Sequence, residues 1–165
     1  RSGELTVLVG GPDDVVVAVR PVLEHVAATV THVGHNVGDG QAMKAVNQLL
    51  VAVNLAGVAE ALSLGSALGL DPASTLRALG TGPASSFMVQ DRGPRMVEVS
   101  EGITPQVVNR LDLTTDDLGV ALEVARDAGQ PTPVAAAVEQ VLLRAAQALP
   151  PDADDATIIR VTAPS

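Results

Sequence analysis

From Gln41 to Leu68 the chain carries only two charged side chains, Lys44 and Glu60, and no proline. That run constrains the fold more than any other feature. Its Ala, Leu and Val content predicts one helix from about Asp39 to Leu68, which at 1.5 Å per residue is roughly 45 Å long. Such a length exceeds the width of a small domain. The surface of this helix is apolar nearly all round, which predicts burial in a large core or between subunits. Asn54, Glu60 and several Ser and Gly residues interrupt the run, so a core helix is expected rather than a membrane span, and no membrane partner.

The rest of the core must be aliphatic, because the 165 residues include one Phe and no Trp or Tyr. Hydrophobic residues make up 47% of the chain, enough to fill a core. With no cysteine, neither a disulfide framework nor a thiolate metal site can form, and a reducing cytoplasm is the expected compartment. The net charge of −9 excludes nucleic acid as a partner, since phosphate binding needs clustered Lys and Arg.

Ahead of the long helix, "ELTVLVGG" is rich in β-branched residues and stops at Gly10-Gly11-Pro12, which reads as a strand and turn. Asp13 and Asp14 open a helix expected to reach about Ala28, with Val17, Val22/Leu23 and Val26 on one face and a bend at Pro21. "ATVTHVG" reads as a second strand. Behind the long helix, Asp71 and Pro72 start another. Further helices are expected from about Ala84 to Val97, Thr114 to Ala128 and Pro133 to Leu149, before a short helical or extended tail.

Within the long helix, Lys44, Asn47 and Gln48 are three and four residues apart and therefore share a face. A cation buried in an apolar helix needs a partner, and no acidic residue lies within the next turn. Gly38 and Gly40 fall where the second strand hands over to the helix N-terminus, a place where backbone N–H groups favour anions. Spacing alone leaves two readings open: a tight turn with Lys44 reaching solvent, or a ligand site. A dinucleotide fingerprint is excluded, because Met43 stands at its third glycine position. His32, His35 and Asp39 lack a converging set of metal ligands; they read as surface groups, with no metal site expected. Asp116-Asp117 and Asp152, Asp154 and Asp155 read as helix caps or solvated acids.

"GDGQAMKAVNQ" resembles the lysine motif G-x-G-x-x-x-K-x-x-N of the β-hydroxyacid dehydrogenases, relatives of 3-hydroxyisobutyrate dehydrogenase and of 6-phosphogluconate dehydrogenase. "GELTVLVGG" resembles the strand that follows that family's serine–glycine loop, "SSFMVQDRGPRM" the helix after the long one, and "DDLGVALEVARDAGQPTPV" its K-D-L-x-x-A segment. The resemblance implies a mainly α chain, in which residues 1–37 are the C-terminal remnant of an NAD(P)-binding Rossmann domain. Residues 38–165 would form an all-helical substrate and dimerisation domain with a long central helix. It implies Lys44 as general acid/base, Asn47 and Gln48 at the substrate, Gly38 and Gly40 near the cofactor, and NAD or NADP as that cofactor. The implied partners are a small hydroxyacid and a second copy of the chain, bound through the long helix.

Two departures stand out. Asp116 replaces the lysine that contacts the cofactor in the family, which should weaken binding unless a basic residue such as Arg110 substitutes. His35 replaces a frequent loop glycine. The chain opens as if in mid-protein, after the dinucleotide-binding units and the serine loop, so these residues alone are expected to be inactive. Substrate recognition is expected to draw partly on side chains around Ser85 to Arg95. A non-catalytic helical dimerisation module and an imine reductase are the alternatives.

Overall fold

The computed structural model describes residues 5–162. Threonine and valine set strand β1 (Thr6–Gly10), and a second β-branched run sets β2 (Thr29–Gly34). The two pair in parallel, Thr6 opposite Thr29 and Val9 opposite His32, with an irregularity before Gly10 pairs with Gly34. Parallel strands need a crossover, and α1 (Asp13–Leu23) supplies it.

Helix α1 is shorter than its sequence predicts. It ends just past Pro21, whose ring removes an N–H from the ladder. Its inward stripe also differs. Val16 is buried and Arg20 and Leu23 half-buried, at the i, i+4, i+7 spacing of one helix face, whereas Val17, Val22 and Val26 are exposed.

Seven helices dominate the described residues: after α1 come α2 (Asp39–Ala67), α3 (Pro72–Thr81), α4 (Phe87–Ser100), α5 (Leu111–Asp127), α6 (Pro133–Ala148) and α7 (Ile159–Thr162). A 3-10 turn, Asp155–Ile158, precedes the last. The chain is mainly α, as its composition and periodicity predict. Starts follow local chemistry. The Asp71 carboxylate accepts from the Ser74 N–H at 2.8 Å with Pro72 in the first turn, and the Ser86 hydroxyl accepts from the Val89 N–H.

Contacts divide the chain into two compact units, residues 1–47 and 48–165. In the second, Ala52, Leu55, Ala59 and Leu62 form the buried stripe of α2. They pack into one aliphatic core with Met96, Leu111, Leu118, Leu142 and Ile158, whose side chains are fully buried. Burying each such side chain contributes about 1.5–3 kcal/mol before entropy is counted. Phe87, the single aromatic, is exposed. Within one chain α2 is not buried all round: Leu50, Gly57, Glu60 and Leu64 are exposed, so the core of this chain covers only one side of the helix. By length and composition α2 could cross a bilayer, yet its buried stripe belongs to the core.

Close approach of α3 and α4 rests on Gly93, where a Cβ would stand 2.3 Å from Leu76 Cδ1. In the first unit a Cβ on Gly40 would lie 2.6 Å from the Leu8 carbonyl oxygen, and one on Gly34 2.1 Å from Asp39 Oδ2. These two glycines let the start of α2 press onto the strand ends.

Candidate functional site

The turn from β2 into α2 is tied down by Asp39, whose carboxylate accepts from the Asn36 backbone N–H at 2.9 Å and from the Asn36 amide at 3.3 Å. Asp39 thus caps its own turn and does not face the histidines. Gly38, exposed and at φ +103°, adopts a conformation that favours glycine, and nothing lies within 4 Å of the place a Cβ would take. Gly40 is filled on that side by Leu8, so its missing side chain serves packing.

Lys44 follows just over one turn into α2, with its side chain exposed and no ion pair to any described residue. It borders an open cleft of about 620 Å³ within the first unit, lined also by Leu8, Gly10, Gly38, Gly40 and Gln41. Asn47 is exposed on the same helix. A primary ammonium on the wall of a partly apolar cleft, beside an open glycine turn, can neutralise charge on a small ligand.

Gln48 lies in the second unit, half-buried, and its amide donates to the Asp117 carboxylate of α5. Asp117 is therefore a packing partner of α2. Asp116 beside it is exposed. Neither acid caps α5, which begins earlier, at Leu111; Asp112 takes the first-turn position. Arg110, a candidate to replace the family lysine, is engaged by Asp112.

The largest departure from the sequence reading lies in the second unit. Asp154 and Asp155 are fully buried, and only Asp152 of that group is exposed. Asp155 accepts from Arg92 Nε at 3.2 Å, Asn109 Nδ2 at 2.9 Å and Thr114 Oγ1 at 3.1 Å. Asp154 accepts from Arg95 Nε at 3.0 Å and the Val108 N–H at 2.7 Å, and caps the 3-10 turn through the Ala156 N–H. Asp91 joins both arginines. Burial works against its charge, but hydrogen bonds from Arg92 and Arg95 outweigh it and hold the Asp91 carboxyl below the usual range. Burial likewise opposes the Arg92 charge, and Asp155 and Asp91 overcome it, raising the guanidinium. Burial pushes the Asp155 carboxyl up against the pull of Arg92 and Asn109. Arg92 and Arg95, expected among the substrate-recognition side chains, are thus occupied internally. No local pattern announces this network, because the partners of Asp154 and Asp155 on α4, α5 and the loop before α5 lie 41 to 63 residues away.

A second grouping is also non-local. Asp13 at the start of α1 meets His35, Oδ1 to Nδ1 3.0 Å, and His32, Oδ1 to Nδ1 3.6 Å.

Comparison with known proteins gives a consistent picture. A family model described as the NAD-binding of NADP-dependent 3-hydroxyisobutyrate dehydrogenase matches residues 38–162. L-threonate dehydrogenase of Cupriavidus necator is 32% identical over 160 residues, covering 97% of this chain and 52% of that protein. 3-Hydroxyisobutyrate dehydrogenase of Pseudomonas aeruginosa is 32% identical over 90% of this chain and 50% of its own length. The crystal structure of 3-hydroxyisobutyrate dehydrogenase from Salmonella typhimurium superposes with a TM-score of 0.80 at 26% identity, over 92% of this chain and 52% of that one. The chain spans about half the length of the curated relatives it matches.

Proposed function

The chain belongs to the 3-hydroxyisobutyrate dehydrogenase family, and on that premise we propose that it is the C-terminal part of an NAD(P)-dependent oxidoreductase. The reaction interconverts a 3-hydroxyacid and its semialdehyde or keto acid, with Lys44 as general acid/base. The observation that carries this reading is the position of Lys44, exposed on the wall of a cleft beside the open turn at Gly38.

A bound nicotinamide supplies or takes the hydride. The protein's part is proton transfer and orientation. As a carbonyl gains hydride, negative charge develops on its oxygen, and the Lys44 Nζ donates a proton to it; in the reverse direction the amine takes the hydroxyl proton. Asn47, three residues on, holds the substrate by its amide. Gln48 has a supporting part, because its side chain donates to Asp117.

The surroundings of Gly38 fit a dinucleotide, since open space and a helix N-terminus suit an anionic group. Asp116 does not fit, because its carboxylate repels phosphate, and Arg110 is held by Asp112. We therefore assign cofactor contact in this chain to the backbone around Gly38 and Gly40. Exposed Leu50, Gly57 and Leu64 recur every seven residues along α2 and support a homodimer through that helix. We read α2 as a core helix rather than a membrane span.

Lys44→Ala and Lys44→Arg in the complete protein test the assignment. Following nicotinamide absorbance with a panel of 3-hydroxyacids, kcat for Lys44→Ala should fall by roughly 10²–10⁴ with cofactor affinity nearly unchanged. Unchanged turnover would remove Lys44 from the chemistry. If the wild-type protein transfers no hydride with any of them, the non-catalytic dimerisation module is the better reading.

A further inference from the structure

We propose that Asp13, His32 and His35 form a binding site for a divalent transition-metal ion of the zinc class. This goes beyond the dehydrogenase reading and does not depend on it. The three side chains each offer one ligand atom, and these atoms lie within 4.8 Å of one another. They come from three different pieces of the first unit: the first residue of α1, the end of β2 and the turn behind it.

Two of the three ligand–ligand distances match what such an ion needs. With metal–ligand bonds of 2.0–2.2 Å at tetrahedral angles, neighbouring ligand atoms stand roughly 3.3–3.6 Å apart. The two measured separations, 3.0 Å from Asp13 Oδ1 to His35 Nδ1 and 3.6 Å to His32 Nδ1, bracket that value. The rings of His32 and His35 stand edge to face at 5.4 Å, so neither blocks the other.

His32 is also oriented as a metal-binding imidazole is. Its Nε2 lies 2.9 Å from the Gly11 carbonyl oxygen, which can only accept, so Nε2 carries the hydrogen. In the neutral ring this leaves the Nδ1 lone pair turned toward the Asp13 carboxylate. The cation between them is a proton in the bare site and the metal ion in the loaded one. A carbonyl behind the distal ring nitrogen is the usual second-shell support of a histidine ligand. Gly11 is itself held, its N–H donating to the Gly34 carbonyl at 3.0 Å.

Two imidazoles and one carboxylate select zinc, cobalt, nickel or copper over magnesium and calcium, which prefer all-oxygen sets. His35 and Asp13 are exposed and His32 half-buried, so water reaches the remaining coordination position. A bound ion would staple the β1–α1 turn to the β2–α2 turn that leads into Lys44.

The test uses the intact protein stripped by a chelator, titrated with Zn²⁺ by calorimetry and with Co²⁺ by absorption. The chain has three histidines, so the controls are complete. One ion per chain should bind, with a cobalt ligand-field band of a low-coordinate N/O site and no competition from Mg²⁺. His35→Gln, at an exposed position, should weaken zinc binding at least ~10-fold, as should Asp13→Asn. His25→Gln should leave it unchanged, and circular dichroism of the metal-free variants should match the parent. Absence of zinc binding to the parent chain overturns the site, as does undiminished binding by His35→Gln or effective competition by Mg²⁺.

Discussion

Replacing Asp155 by alanine removes the centre of the buried ionic network. The carboxylate accepts from Arg92 through both Nε and Nη2, from the Asn109 amide and from the Thr114 hydroxyl. Alanine leaves these donors in a site with no solvent, where Asp155 itself has none of its surface exposed. Each orphaned buried group costs about 1–3 kcal/mol, and breaking a buried pair from one side costs about 3–5 kcal/mol. Arg92 keeps Asp91 as a second partner, so the expected loss lies at the lower end, about 3–4 kcal/mol. Against a total of about 5–15 kcal/mol that is a large share of the stability. The assay must be far-UV circular dichroism in urea, because the chain has neither Trp nor Tyr to report by fluorescence. The urea midpoint should fall by roughly 1–3 M at an unchanged m-value. Adding Arg92→Met to Asp155→Ala should recover part of the loss, because the guanidinium is then no longer buried beside an empty acceptor. A cost for Asp155→Ala below about 1 kcal/mol, or strict additivity in the double variant, would refute the claim that the network is interdependent.

Gly40→Ala should destabilise by about 1–2 kcal/mol, since overpacking against the Leu8 carbonyl outweighs the gain in helix propensity; a rise in the melting temperature would refute this. Acid should also weaken the fold. Hydrogen bonds to Ser74 and Arg110 hold the exposed Asp71 and half-buried Asp112 carboxyls below their usual range, and Arg92 and Arg95 do the same for Asp91. Such groups add stability above the unfolded value near about pH 4 and withdraw it as the pH falls through their folded values. Asp155, pushed upward, has the opposite sign and takes its proton first. Melting temperature should therefore decline below about pH 4, and less steeply in Asp71→Asn with Asp112→Asn; an identical decline in parent and variant would count against it.

What could be read without coordinates was whatever depends on near neighbours along the chain. Helix α2 runs where a mostly apolar, proline-free stretch predicts it, ending one residue short of Leu68. Asp71 caps α3 with Pro72 behind it, as that pair of residues dictates. The two parallel strands around α1 follow from the same local logic. One boundary slipped because a distant backbone sets it: the Leu111 N–H donates to the Ala153 carbonyl, α5 starts at Leu111 rather than Thr114, and the acids at 116 and 117 sit in its second turn.

The pairings between distant residues were not legible. Gln48 and Lys44 carry similar signals in the sequence, yet folding brings Gln48 to Asp117, 69 residues away, and leaves Lys44 at a cleft. Adjacent aspartates at 154 and 155 read as helix caps or solvated acids; Asp154 does cap the 3-10 turn, but neither is solvated, and only the arrival of α4 with Arg92 and Arg95 makes their burial tolerable. Asp39 is the nearer acid to His35 in sequence, but Asp13 is the one beside it in space. The sequence by itself determined the helical class, the aliphatic core and the lysine motif, since propensity, period and motif spacing are local. The tertiary structure alone decided which charges are buried, which are paired and which meet solvent, because those energies depend on partners that come from elsewhere in the chain.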